Sequence, residues 1–569
     1  MWNGRVDISD PCSYGANRQG QGKGLTMVDA AYDAVVVGGG HHGTIIACYL
    51  AKAGMSVAVL EKHPDLGGAA ISEEGPAPGY RQNPCAHFTR FYGHPAYKDF
   101  NLRDEGLRYI FPEQNEGFLF EDGSSLIGYS AFRVVDSETG RTEFAQDNVD
   151  KTYDQIKQFS VRDADTYLDL LDKYQRYWKT AFHSQRFTPP PAWEEPDQLE
   201  ALLSVPDSGL EPVHQFMTVR QVAYDFFESP ELRTLFLRAT PTSSGLFADD
   251  VMGLQVLVHV MGLVLSFEPA SIAVGGTQSI TDALVSAGKK LGVAYFTGRE
   301  VDQVTVENGK ATGVRLSDGS EIAASLVVSD LGVPQTILRL LRDQPIGKKM
   351  LHRVRNIHYD RSQILWGNVA VHELPVYTAE AQNPGLGLLP RLYWGPKDPD
   401  YYVSKYQHEI FLLGFPQRLH LLTAPDSIWD ETRAKPGTHT ILVEDFSAPA
   451  RMFSPREWGR IKTEFVDLML EQWQVLAPNM TRDNVIADRI YSPYDVLASH
   501  PDMIEGGWSE GTMMASQLGR FRPFPETSGY RMPVDGLYNC SSNLHSAGGI
   551  ARGSSYNCYQ IIARDLGLS

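Results

Sequence analysis

Ala34-Val35-Val36-Val37-Gly38-Gly39-Gly40-His41-His42-Gly43, followed by Thr44–Ala53 and Val57-Ala58-Val59-Leu60-Glu61, decides the fold. A short β-rich run leads into a glycine turn. Ile45, Ile46, Tyr49 and Leu50 then recur at helical spacing, and Gly54 stops the helix. A second apolar run ends in Glu61, about 20 residues after the turn. Each glycine of G-x-G-x-x-G has a physical reason. Gly38 makes the tight turn, Gly40 lets backbone approach a pyrophosphate, and Gly43 lets helix pack on strand. The helix start offers N–H groups and a positive dipole end to phosphate. A carboxylate at the end of the second strand suits ribose hydroxyls and disfavours a 2′-phosphate. The unit therefore predicts a Rossmann-like dinucleotide site.

Leu66-Gly67-Gly68-Ala69-Ala70 comes next. A glycine pair here lets the chain fold back over the pyrophosphate and reach toward a flavin ring. Simple NAD dehydrogenases need no such segment. No second G-x-G-x-x-G occurs, because Gly385-x-Gly387 is followed by Pro390. The cofactor is expected to be FAD, with no separate pyridine-nucleotide domain.

The rest of the chain alternates in kind. Gly117–Ile127 reads as a hairpin turning at Asp122-Gly123, and Asp163–Phe182 as an amphipathic helix ending before Pro189-Pro190-Pro191. Val251–Phe267 is a strongly apolar helix. It is read as core, with a tunnel wall or membrane-facing substrate entry as the sharper alternative. From Gly275 an α/β pattern resumes: a helix through Leu291, then strands at Val293–Phe296, Val301–Glu307, Ala311–Leu316 and Leu326–Val328. Residues 340–520 are aromatic-rich and mixed. Gly536–Leu568 is strand, glycine-rich turn, helix. The expected class is α/β with α+β insertions. A discontinuous FAD-binding part (32–75, 271–340, 521–569) interleaves with a substrate part (76–270, 341–520), behind an N-terminal extension (1–31).

Composition narrows the function classes. The 569 residues are 42% hydrophobic and 21% charged, which is globular, not disordered. The net charge of −18 argues against a global grip on nucleic acid or anionic lipid. Five cysteines with no C-x-x-C pair indicate neither a zinc site nor a disulfide framework, so no metal is expected. No apolar run is long enough to span a bilayer, and the first 26 residues lack a secretory apolar core. The expected compartment is the cytoplasm. Peripheral membrane contact is left open as something buried apolar area would have to drive.

Three ordered blocks resemble the phytoene desaturase-like branch of the FAD-dependent oxidoreductases, which includes carotenoid desaturases, carotenoid isomerases and retinol saturase. They are Val35–Glu74, Gly275–Leu338 (with "GGTQSITDAL" and "VVSDLGVPQTIL") and "RPFPETSGYRMPVDGLYNCSSNLHSAGGI". The resemblance implies that Glu61 binds the adenosine ribose and the Val301 backbone the adenine. The remaining cofactor contacts it implies are Gly38, Gly40, His41, His42, Gly43, Lys62, Gly67, Gly68, Ala69, Ser329, Asn543, Gly548, Gly549 and Ile550. Departures occur in the C-terminal block. Where relatives carry a glycine-rich stretch this chain has Cys540-Ser541-Ser542-Asn543, and Ser555-Tyr556-Asn557 replaces a usual G-R-N.

Flavin desaturation asks the protein to position substrate, exclude water and sometimes supply a base. His87, in "GYRQNPCAHF", and His545, Arg552 and Tyr556 in the C-terminal block are the catalytic candidates. Arg90, on the same stretch as His87, stands beside them. A hydrogen-bonding or packing role is the plain alternative for each. Glu73 and Glu74 read as caps or hydrogen-bonding groups. The expected function is hydride transfer between a hydrophobic polyene, isoprenoid or aromatic molecule and flavin N5, with oxygen or a quinone as electron acceptor. The alternatives are a flavin amine oxidase, a flavin-dependent isomerase and a carrier like the Rab GDP-dissociation inhibitors, which hold no FAD. The oligomeric state is not specified by sequence.

Overall fold

The computed structural model describes residues 31–568, apart from Phe88, Glu138, Asp360 and Ser362. The expected N-terminal extension and Cys12 therefore lie outside the described residues, and Ala31 already belongs to a strand.

Four strand ends stand side by side in the first sheet. Ala31–Val37 pairs in parallel with Val57–Leu60 on one side and Glu321–Ser329 on the other. Ala294–Phe296 extends one edge, and Leu537–Asn539 pairs with the last part of Glu321–Ser329, both in parallel. The strand predicted as Leu326–Val328 is longer because its first half takes a hairpin partner, Lys310–Leu316, itself paired with Val301–Glu307. Near-continuous Val/Ile/Leu runs are what a parallel sheet covered on both faces requires. The helices His41–Lys52, Gln278–Lys290 and Ser554–Leu566 supply cover: the first contacts both of the others.

The second sheet has seven strands in the order Val485–Tyr491, Gln363–Val371, His439–Ser447, Leu421–Ala424, Arg391–Gly395, Gln114–Phe120, Ser125–Tyr129. The first five are antiparallel neighbours. Gln114–Phe120 joins Arg391–Gly395 in parallel and turns at Asp122-Gly123 into its hairpin partner. Strands from before residue 130 and after residue 360 thus share one sheet. The aromatic 340–520 region, read from sequence only as mixed, is largely this sheet and its covering helix Pro455–Leu476.

The amphipathic helix runs over 161–186 and not 163–182, because Ser160 caps it at Asp163 N (3.0 Å) and a wider turn at Tyr174–Trp178 carries it onward. The helix within 251–267 spans Gly253–Val264. All its residues except His259 are buried in the core that backs the second sheet. No side of this helix faces outward. Truncating one of its leucines to alanine would cost about 2–5 kcal/mol. Among the described residues no helix is long and apolar enough to cross a membrane.

Candidate active site

The site is built at the carboxyl edge of the first sheet. Val37, Leu60, Ser329 and Asn539 are in register, so Gly38, Glu61, Asp330 and Cys540 follow them in a row. Backbone bonds lock that row: Gly38 N–H donates to Leu60 O (2.9 Å), Asp330 N–H to Val37 O (2.8 Å) and Cys540 N–H to Ser329 O (2.9 Å). Carboxyl ends of parallel strands at a change of strand order are where such sheets bind ligands.

The fingerprint glycines stand where the backbone leaves no room for a side chain or takes a conformation that side chains avoid. Gly38 has φ +99°, a region L side chains avoid. A Cβ on Gly43 would fall on the Gly38 carbonyl oxygen, and one on Gly40 would lie 2.5 Å from the Asp330 carboxylate. Gly67 N–H donates to Gly39 O (2.8 Å), so the glycine pair does lie beside the turn. Gly68 and Ala69 sit in the short turn that follows.

Glu61 is buried. Its two oxygens accept from Gly39 N–H (2.7 Å) and His63 N–H (2.8 Å). Its backbone clasps the segment before Val301: Glu61 N–H donates to Phe296 O (2.9 Å) and Arg299 N–H to Glu61 O (2.7 Å). The ribose and adenine candidates are therefore neighbours. Lys62 is exposed.

Asp330 lies within "VVSDLGVPQTIL", where the sequence assigns a role only to its neighbour Ser329. Its carboxylate accepts from Gly43 N–H (2.9 Å) and holds the glycine turn to the sheet. Half-buried Asp502 and Glu510 share this crevice. Burial, with the negative charge of Glu61, Asp330 and Asp502 nearby, pushes the carboxyls of Asp330, Asp502 and Glu510 above their ordinary range. The position of Asp330 just after a strand in the row is the signal that could find it. A cavity of about 340 Å³ lined by Tyr359, Arg361, Thr512 and Met514 lies near the Glu510 side.

His41 and His42 open the fingerprint helix with ring centroids 4.1 Å apart, and His42 Nδ1 meets Ser555 Oγ at 3.2 Å. Burial lowers both imidazoles, His41 to about 4, so both are neutral near pH 7. Their Nε2 atoms have no partner among the described residues. Unpaired buried polar atoms beside a helix start, next to glycines that leave no room for a Cβ, fit a phosphate-bearing cofactor.

The C-terminal candidates divide. His545 is buried, with Nε2 on Gln185 O (2.8 Å), and burial lowers its pKa to about 4. It ties the C-terminal turn to the helix Lys179–Arg186. Asn543 is spent on structure: its Oδ1 accepts from Val333 N–H (2.6 Å), and its amide donates to Glu510 O. Ser329 Oγ meets Thr336 Oγ1 (2.8 Å). Gly548 packs on the Ser509 backbone, Gly549 has φ +109°, and Ile550 enters the small core under the fingerprint helix. Ser541, which replaces a glycine, turns its hydroxyl to Asn539 Oδ1 (2.7 Å). Tyr556 is half-buried among Tyr49, His94 and Phe187. Arg552 is buried near His94.

His87 stands apart from that group. Its Nε2 contacts Asp426, and Asp426 also holds Arg433 (3.1 Å). Burial would raise the Asp426 carboxyl, but the facing His87 and Arg433 hold it below the ordinary range. A cavity of about 10 Å³, room for one water, adjoins the three. Asp426 and Arg433 carry no sequence signal: 339 positions of chain separate Asp426 from His87, and Arg433 lies further on still. Glu73 bonds the Tyr491 hydroxyl, in keeping with its reading as a hydrogen-bonding group.

Comparison with known proteins places this geometry. Residues 36–100 match the NAD(P)-binding Rossmann-like domain family. The chain is 26% identical to pyridine nucleotide-disulfide oxidoreductase domain-containing protein 2 of Rattus norvegicus, over 98% of this chain and 97% of that protein. It is 24% identical to one of the subunits of limonene dehydrogenase from Castellaniella defragrans (94% and 95%) and 23% identical to phytoene desaturase of Fusarium fujikuroi (66% and 63%). An oxidoreductase from Methanosarcina mazei (TM-score 0.56, 16% identity, 93% and 99% covered) and a putrescine oxidase (0.56, 14%, 95% and 99%) share the fold. Amine oxidases thus share its architecture at an identity that speaks for the fold alone. With a Rossmann-type site for a flavin or nucleotide cofactor, this chain is similar to the phytoene desaturase-like oxidoreductases.

Proposed function

We propose that the chain binds FAD along the carboxyl edge of the first sheet and moves a hydride between a hydrophobic small molecule and flavin N5, in the dehydrogenase or desaturase sense. The observation that carries this reading is the row Gly38, Glu61, Asp330 and Cys540 at four strand ends in register. Glu61 would take the ribose, the fingerprint helix the pyrophosphate, and the turn through Gly549 the inner part of the cofactor. Bound FAD would supply the hydride acceptor, chemistry that no side chain here provides. The protein's own tasks are positioning, water exclusion and proton placement. We assign the proton to His87, oriented by Asp426, and substrate contact to Arg552 and Tyr556. Limonene dehydrogenase and phytoene desaturase are named for apolar hydrocarbons, which supports an apolar substrate. We further propose oxygen or a quinone as electron acceptor, and that the two sheets divide cofactor and substrate binding between them.

Anaerobic mixing tests the reading. A panel of apolar terpenes and polyenes should contain a compound that bleaches the flavin absorbance, while NADH bleaches it slowly or not at all, since the sequence holds no second nucleotide fingerprint. Rapid stoichiometric bleaching by NADH would contradict it.

A further inference from the structure

Three guanidinium groups gather here, Arg552 buried and Arg186 and Arg90 half-buried, and none forms an ion pair with a carboxylate of a described residue. Arg552 is 7% exposed. Its guanidinium makes no hydrogen bond or ion pair with any described residue, and its Nη1 is buried without a partner. Arg186 closes the helix Lys179–Arg186. It donates through Nη2 to Ala551 O (2.6 Å) and lies over the rings of Phe182 and Phe187, 5.3 and 5.2 Å from their centroids. Its Nε is buried and unpartnered. Arg90 donates through Nε to Pro269 O (3.0 Å) and forms no ion pair with a described residue. The three lie close enough to feel one another's charge, with Arg522 also acting on Arg552 and Glu268 offsetting part of the charge on Arg186, and all three act on His259 of the apolar helix. Glu268 is the acid of this region. It accepts from the Tyr174 hydroxyl and reaches no arginine at ion-pair distance.

An ionised group taken out of water costs far more than a fold can spare unless an opposite charge offsets it. Guanidinium cannot escape by giving up its proton. A cluster left in this condition is complete only with an anion in it. Its setting says which anion. Arg186, His259 and Glu268 adjoin residues of the core behind the second sheet, Arg90 precedes Phe91 of the small core under the fingerprint helix, and Arg552 comes from the C-terminal block. Phe182, Phe187 and the helix Gly253–Val264 supply apolar walls. Resting on the functional reading above, we propose that the substrate is an apolar molecule carrying a carboxylate, whose two oxygens are received by Arg552 and Arg186 with Arg90 beside them. A planar fork of donors matches a carboxylate in a way one ammonium cannot.

The test uses purified holoprotein and two matched probes, decanoate and decan-1-ol. Thermal unfolding shifts and perturbation of the flavin spectrum are both read. Decanoate should bind about 10- to 100-fold tighter than the alcohol, the range a charged hydrogen-bonded pair supports. Arg552→Gln should keep its FAD and lose that preference, and Arg552→Lys should recover only part of it. Arg186→Lys gives a second reading of the same pocket if Arg552→Gln does not fold. Equal binding of acid and alcohol by the wild type, or an unchanged preference in Arg552→Gln, would overturn the proposal. So would loss of FAD from Arg552→Gln with no acid preference in the parent protein, which would give the guanidinium to the cofactor. The unfolding shift needs no flavin. Colourless protein that still prefers decanoate would therefore reject the function proposed above and leave this site standing.

Discussion

The two ends of the crevice carry opposite charge. The outer end, where the adenosine would lie, gathers Glu61, Asp330, Asp502 and Glu510. The inner end gathers Arg90, Arg186 and Arg552 with His41, His42, His94 and His259. Burial acts on both, with different consequences. A buried carboxyl takes a proton and becomes neutral, and a buried imidazole gives one up. Both directions occur here: the Asp330 and Glu510 carboxyls rise, and His94 falls to about 3 as burial and Arg186 work against its charge. A guanidinium has no such exit. A carboxyl held above its ordinary range, as at Asp330 and Glu510, brings less negative charge to a pyrophosphate nearby, while the basic end needs a negative ligand. The net charge of −18 describes neither.

Three substitutions press on that contrast, in descending order of effect. Gly43→Ala puts a Cβ onto the Gly38 carbonyl oxygen and within 3 Å of the Asp330 carboxylate. It should abolish cofactor retention, read as flavin-to-protein absorbance after gel filtration. Retention near the wild-type ratio would mean that the phosphates bind elsewhere. Glu61→Ala removes the carboxylate proposed to take the ribose, together with the two hydrogen bonds it accepts from backbone N–H groups. We expect FAD affinity to fall about 10- to 100-fold, while Arg552→Gln leaves it near the parent value. Equal losses in the two variants would erase the distinction between the ends.

Asp330→Asn is the mildest and is read against pH. The wild-type carboxyl stays protonated in the fold above the pH at which it ionises in the unfolded chain. Between those two values the folded state binds more protons, so this group's contribution to stability falls as pH rises. Asparagine carries no such proton. The melting temperature of Asp330→Asn relative to wild type should therefore climb by a degree or two from acid to neutral pH. A wild type that gains on the variant as pH rises would show Asp330 to be ionised and paired.

Much of the outer end is legible in sequence, because it is local. Strand, turn, helix, strand and acid lie within 31–61, and each glycine there answers a steric need that a pattern can express. The FAD-side strands after residue 290 are legible for the same reason: Asn308-Gly309 and Asp318-Gly319 mark hairpin turns, and β-branched runs mark the strands between. Asp330 has no such marker, because its role depends on register between strands almost 300 residues apart. Asp426 behind His87 and Arg186 beside Arg552 are hidden in the same way. Residue type suggests His545 and Asn543 as reactive or cofactor-binding groups, yet hydrogen bonds to Gln185 and Val333 give both of them structural tasks. The seven-stranded second sheet is obscured because its central strands, Gln363–Val371 and His439–Ser447, are buried on both faces and show no two-residue alternation, and because it joins strands from before residue 130 to strands after residue 360.

The central claim is that this crevice holds FAD with its adenosine against Glu61. The most direct measurement is the absorbance spectrum of the purified protein, with identification of the chromophore released on denaturation. A crevice that holds FAD makes the purified protein yellow and releases FAD in near-stoichiometric amount. Colourless protein that also fails to take up added FAD would contradict it.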